Sequence, residues 1–124
     1  MQGLHLSVDL RGCAPAQAAM VDPQALRSLC LAAVQSAGLQ AVGELFHRFP
    51  APGGVTGVVL LAESHVAVHT WPELGAVTVD VYVCNLHGDN SARAQALLQR
   101  LQVAFAPERA ELQQLLRGSQ TAAA

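Results

Sequence analysis

Aromatic side chains are scarce in this chain: one Trp, one Tyr and three Phe. A core must therefore be built from Val, Leu and Ala. Charge is also thin, at 13% Asp, Glu, Lys and Arg, with a net charge of -2. That balance excludes the basic field that nucleic acid or an anionic membrane surface would need. Cysteine is limited to Cys13, Cys30 and Cys84. An odd, widely spaced set does not make a disulfide framework, and free thiols suit a reducing compartment. No apolar run reaches the length of a membrane span. The start, Met1-Gln2-Gly3-Leu4-His5, lacks the basic and apolar segments of a signal peptide. The expected setting is the cytoplasm, with neither membrane nor nucleic acid as a partner.

What is present is apolar: 52% of 124 residues, enough for one domain spanning 1–124. So apolar and weakly charged a chain suits an oligomer that hides part of its surface. Leu4, Leu6, Val8 and Leu10 alternate with His5, Ser7 and Asp9, which is the period of a half-buried strand. Asp22-Pro23 starts a helix, with an oxygen-bearing cap and then proline at the first helical position. Leu26, Leu29, Cys30, Ala33, Val34 and Ala37 form its apolar stripe, and Gly38 ends it. Strands are expected over Leu39–Phe49, Val55–Ala62, His65–Thr70 and Val77–Cys84, with a loop from Pro50 to Gly54. Asp89-Asn90-Ser91 opens a second helix striped by Ala94, Leu97, Leu98, Leu101, Ala104 and Phe105. Residues Glu108–Arg117 fit either a short helix or an edge strand. Ser119–Ala124 reads as a frayed tail. The fold class is mixed α/β of the α+β kind. It is a two-layer αβ sandwich, with about five strands in an antiparallel sheet and two helices on one face. The other face would carry Thr78, Asp80, Tyr82, Cys84 and the histidines of the preceding strand.

The chemistry concentrates in Glu63-Ser64-His65-Val66-Ala67-Val68-His69-Thr70-Trp71-Pro72-Glu73. Polar groups in so apolar a chain need partners or a purpose. A metal held by His65 and His69 requires a helix. On a strand the two are about 13 Å apart, too far to share one ion. A hydrolase using Ser64, His69 and Asp80 lacks the Gly-x-Ser-x-Gly turn. A third use makes Ser64 a precursor. Its Oγ attacks the Glu63 carbonyl, the resulting ester undergoes β-elimination, and the dehydroalanine hydrolyses to a pyruvoyl group. Thr56 and His69, adjacent by strand pairing, are candidates to move the protons.

The stretch Gly57–Glu73 with Val79-Asp80-Val81-Tyr82-Val83-Cys84 resembles the prokaryotic S-adenosylmethionine decarboxylase family. The likeness extends through Asp22-Pro23, Leu26-Arg27 and Phe46-His47-Arg48-Phe49, and covers roughly residues 3 to 118. The resemblance implies self-cleavage before Ser64, giving a β chain of 1–63 and an α chain of 64–124 headed by the pyruvoyl group. Thr56 and His69 match positions that assist processing. Cys84 matches the thiol that returns a proton to the substrate carbon, and Glu63 and Glu73 match acids at the substrate site. A homodimer with sites at the subunit boundary is implied, and no metal or pyridoxal phosphate. The implied reaction condenses the substrate amine with the pyruvoyl carbonyl as a Schiff base, expels carbon dioxide and yields the aminopropyl donor for spermidine synthesis.

Plainer roles stand beside these. His69 alone could be a core histidine, and Cys84 a small buried hydrophobe. Cys13 and Cys30 read as structural, and His5, His47 and His87 as surface or edge residues. Trp71 would pin the strand end by packing. Phe46 and Phe49 could fill core, or one could stack on adenine. The family pattern is broken in three places. Leu74-Gly75-Ala76 stands for Tyr-Gly-Tyr, Asn85 replaces the glycine after the thiol, and the Pro50–Gly54 loop is one residue longer. Arginine or ornithine therefore remains an alternative substrate, and a non-catalytic binding partner is a third reading.

Overall fold

In the computed structural model, which describes residues 2–118, one six-stranded antiparallel sheet organises the fold. Its strands are β1 (Gly3–Arg11), β2 (Ala41–Arg48), β3 (Val55–Leu61), β4 (Ser64–Trp71), β5 (Ala76–Cys84) and β6 (Arg109–Arg117). They lie in the order β2-β3-β4-β5-β1-β6, and each neighbouring pair is antiparallel. Helices α1 (Ala18–Val21), α2 (Pro23–Ser36) and α3 (Ser91–Phe105) complete the described elements, with a 3-10 turn at Pro72–Leu74.

The two-layer sandwich follows from strand alternation. Leu4, Leu6, Val8 and Leu10 are buried, as are Val77, Val79, Val81 and Val83 beside them. Across the layer they meet Leu26, Cys30, Ala33 and Val34 of α2, and Leu97, Leu101 and Phe105 of α3. Each such Leu or Val contributes roughly 1.5–3 kcal/mol by leaving water. Burial pushes the Cys30 thiol up to about 12 and raises that of Cys13 as well, which disfavours the thiolate in both.

The expected helix start is built as read: the Asp22 carboxylate accepts from Gln24 N–H at 3.0 Å, and Pro23 occupies the first turn. Asp22 also closes α1, its N–H donating to the Ala18 carbonyl at 2.8 Å. Only four residues long, α1 leaves no periodic trace in the sequence. The ambiguous Glu108–Arg117 segment is an edge strand along β1, so the sheet has six strands rather than five. All nine of its residues are exposed, because the helices stop short of it. The strand expected over Leu39–Phe49 is shorter, and a register shift between Ala41 and Gly43 marks its start. The proposed tail Ser119–Ala124 lies outside the described residues. Among the described residues, no helix is long and apolar enough to cross a membrane.

Among the described residues, Thr70 is the buried polar side chain of this core, 3% exposed. Its Oγ1 accepts from Val55 N–H at 2.8 Å and donates to the Met20 carbonyl at 2.8 Å, tying β3, β4 and α1 together. Replacing Thr70 by Val keeps the volume and leaves both backbone groups unpaired in a dry place. Thr70→Val is expected to lower unfolding stability by about 2 kcal/mol, read as a drop in the urea midpoint at unchanged slope.

Candidate active site

The helices occupy one sheet face, so period 2 sends the polar residues of every strand to the other. Rows run straight across it. Thr56, His69, Thr78 and Asp9 form one row, and Leu60, His65, Tyr82 and His5 form another. Four of the five histidines, His5, His47, His65 and His69, lie on this bare face or along its rows. Leu45 on the same face is 71% exposed and Leu60 is 50% exposed.

One group of candidates gathers where β3 turns into β4. Leu61 pairs with Ser64, so Ala62 and Glu63 alone make the turn. Glu63 holds φ at 58°, the left-handed region that side-chain-bearing residues avoid. The Ser64 Oγ accepts from Cys84 N–H at 3.1 Å. Cys84 ends β5 opposite Gly3, and is half-buried. A Cβ on Gly3 would strike the Tyr82 ring, so that glycine lets Tyr82 lie beside the thiol. The His65 ring stacks on Tyr82 with centroids 5.8 Å apart, and the Arg117 guanidinium sits 6.0 Å from the Tyr82 centroid.

The second group lies at the opposite end of β4. Thr56 Oγ1 and His69 Nδ1 are 3.1 Å apart, as cross-strand partners. The His69 ring stacks on Trp71 at 5.8 Å, and His47 meets Phe49 edge-on at 4.9 Å. Beside them opens a cavity of about 590 Å³, lined by Phe49, Pro50, Pro52, Thr56, His69, Trp71 and Glu73 among others. Gly54 shapes its floor, since a Cβ there would strike the Thr70 carbonyl oxygen. A smaller hollow of about 220 Å³ lies on the other side of Trp71, bounded by Leu74, Ala76, Thr78 and Asp9.

The structure thus brings Ser64, Glu63 and Cys84 together, and separately Thr56, His69, Phe49 and Glu73. It does not join the two groups: His69 lies five residues along β4 from Ser64, about 16 Å away. Thr56 and His69 cannot move protons at Ser64 within one copy. Phe46 stands apart from both groups. It packs over Gly57 on the helix side, where a Cβ would meet its ring, so Phe46 is a core residue and does not face the cavity. Trp71 ends β4 packed on the His69 ring and is also a cavity wall, 38% exposed. His5 is no idle surface group, since its Nε2 lies 3.1 Å from Asp80 Oδ1. Tyr82 is expected on the same face as Cys84, and Asn85 stands where the family pattern has glycine, but nothing in the sequence points to Asn90 beside the thiol.

Fold and site together define an α+β sandwich with a Thr-His pair and a thiol on its bare sheet face and, where β4 starts, a serine following a left-handed turn. The family model for S-adenosylmethionine decarboxylase matches residues 4–118. An S-adenosylmethionine decarboxylase proenzyme of Pyrococcus furiosus is 36% identical over 104 residues, which is 84% of this chain and 73% of that one. A proenzyme of the same name from Methanococcus maripaludis is 33% identical over 116 residues, 94% of this chain and 89% of that one. The crystal structure of the adenosylmethionine decarboxylase from Aquifex aeolicus superposes with a TM-score of 0.86 at 35% identity, covering 98% of this chain and 95% of that one. This chain belongs to the S-adenosylmethionine decarboxylase family.

The three thiols differ in access, and that gives a direct check on the site. With Cys13 and Cys30 buried and Cys84 half-buried, native protein is expected to take up one equivalent of a small alkylating reagent, at Cys84. The other two should react only after denaturation. Peptide mapping of the labelled protein reads the outcome.

Proposed function

We propose that this chain is a proenzyme that cuts itself between Glu63 and Ser64 and uses the resulting pyruvoyl group to decarboxylate S-adenosylmethionine. The observation that carries this reading is the junction itself. A left-handed, non-glycine residue immediately precedes a serine whose Oγ is held by a main-chain N–H. Strain at Glu63 is relieved when the peptide bond is lost, and the Cys84 N–H fixes the Ser64 rotamer from one side. Attack of Oγ on the Glu63 carbonyl moves the acyl group from nitrogen to oxygen. Removal of the Ser64 Cα proton then expels the Glu63 carboxylate, and water releases ammonia from the remaining head group. The products are fragments 1–63 and 64–124. Once formed, the pyruvoyl group supplies a carbonyl that captures an amine and accepts the electrons left by carbon dioxide.

The proton traffic requires a His and a hydroxyl near Ser64, and one copy cannot supply them. Two copies can. Bare sheet faces packed about 10 Å apart around a twofold axis near Ala67 and Asp80 would set His69 and Thr56 of each copy against Ser64 and Cys84 of the other. The exposed Leu45 and Leu60 are what such a contact would cover. This reading makes the chain a homodimer with two composite sites. In each, Cys84 is the proton donor at the substrate carbon. Glu63 ends the 1–63 fragment next to the new chain end.

The cavity suits a nucleoside. It is mostly apolar with a few polar groups, which is how small-molecule sites are built. Phe49 offers a flat, half-exposed ring to a base. Glu73 can accept from both hydroxyls of a ribose. Arginine and ornithine have neither a base nor a ribose for these groups to hold.

Denaturing mass analysis of purified protein is expected to show two fragments split at Glu63-Ser64, and labelled carbon dioxide should be released from S-adenosylmethionine in preference to arginine or ornithine. Ser64→Ala should stay a single inactive chain. An uncut wild-type chain carrying an ordinary serine would end this reading, and cleavage followed by preferential turnover of arginine would move it to another substrate.

A further inference from the structure

Cys84 is held in an unusual way. The bond from Asn85 N–H to the Gln2 carbonyl, 2.7 Å, sets the hydrogen-bond phase of β5 against β1 at that end. By the alternation of an antiparallel ladder, the N–H and C=O of Cys84 then point away from β1, toward β4. But β4 begins at Ser64, which lies one residue short of facing Cys84. Both main-chain groups are therefore left without a ladder partner, and side chains supply the bonds. Ser64 Oγ takes the N–H at 3.1 Å, and Asn90 Nδ2 donates to the carbonyl at 3.0 Å.

Asn90 occupies the N-cap of α3, where an asparagine side chain ordinarily accepts from the first turn of its helix. Here it makes no such bond. Its Oδ1 instead accepts from Arg93 Nη1 at 2.8 Å. Arginine can only donate, so the atom facing it is oxygen, and the amide NH2 is turned to Cys84. Asn85 supports the arrangement from the other side. Its Oδ1 accepts from Asn90 N–H at 2.8 Å, and its Nδ2 donates to Ser91 Oγ at 3.3 Å.

We propose that Asn90, oriented by Arg93 and Asn85, is the positioning residue for the Cys84 thiol. This deepens the reading of the chain as a pyruvoyl-dependent decarboxylase and rests on it. Self-cleavage converts Ser64 and removes its Oγ, so one of the two bonds at Cys84 is lost as the enzyme matures. The Asn90 bond then holds the end of β5 alone on that side. The thiol must deliver its proton to the substrate carbon. Delivered instead to the carbon derived from Ser64, the proton leaves the electron pair and the amine there. Water then releases the substrate carbon as an aldehyde, and the 64–124 fragment is headed by alanine and dead.

Asn90→Asp is the discriminating variant, because it keeps the size and the Arg93 partner but cannot donate to the Cys84 carbonyl. Arg93→Ala removes an exposed side chain and leaves the fold intact while freeing the Asn90 amide to turn. Ser36→Ala, which removes the acceptor of Arg100 on the helix exterior, is the control. In an uncleaved Ser64→Ala background, amide exchange over residues 84–90 should quicken about tenfold with Asn90→Asp, and less with Arg93→Ala. In the processed enzyme, fragments headed by alanine per turnover should rise about tenfold in Asn90→Asp, less in Arg93→Ala, and stay at the parental level in Ser36→Ala. Faster exchange with an unchanged alanine fraction would make Asn90 a structural residue only and overturn the proposal, as would parental values in both assays. Absence of any cleavage in the parent would refute the decarboxylase reading instead, which the exchange measurement does not share.

Discussion

Everything in this molecule hangs on the antiparallel ladder that seats β4 between β3 and β5. That ladder fixes parity. Val66, Val68 and Thr70 go to the helices, and His65, Ala67, His69 and Trp71 go to the bare face. A slip of one residue would exchange the two sets and bury two histidines among valines. The apolar stripes of α2 and α3 forbid that slip. The chemistry is thus positioned by packing on the opposite side of the sheet.

The same ladder imposes a distance. A strand is a ruler, and β4 carries Ser64 at one end and His69 at the other, about 16 Å apart. Packing within one copy cannot shorten it, because β4 is paired on both sides for most of its length. On the proposed reading the site is therefore two halves. One half holds the bond to be broken, a left-handed turn and a thiol, and the other holds a Thr-His pair and the cavity. A twofold face-to-face contact is the simplest operation that makes them whole, and it also accounts for leucines standing in water on a sheet face.

Much of this could be read from the residues. Alternation gave β1 and β5 nearly to their ends, and Asp22-Pro23 gave the start of α2, because each rests on a single local rule. The neighbourhood of Thr56 and His69 also followed from adjacent strands with a tight turn. Other features were illegible for physical reasons. The run Glu-Leu-Gln-Gln-Leu-Leu in β6 shows no period because neither of its faces is buried. Phe46 and Phe49 are three residues apart and look alike. Only Gly57, whose missing side chain admits one ring, sends Phe46 to the core and leaves Phe49 at the cavity. The bonds of Asn90 depend on where β4 begins relative to β5, a matter of register that no local pattern encodes.

The two-copy site can be tested by mixing defects. Ser64→Ala and His69→Ala chains would be co-expressed with distinguishable tags and compared with each expressed alone. The account predicts that Ser64→Ala alone is never cut and that His69→Ala alone is cut at least about a hundredfold more slowly than wild type. Co-expression should restore cleavage at Glu63-Ser64 to the His69→Ala chain, and to that chain only. If the mixed sample remains as slow as His69→Ala by itself, the serine and the histidine act within one copy or not together at all, and the account fails.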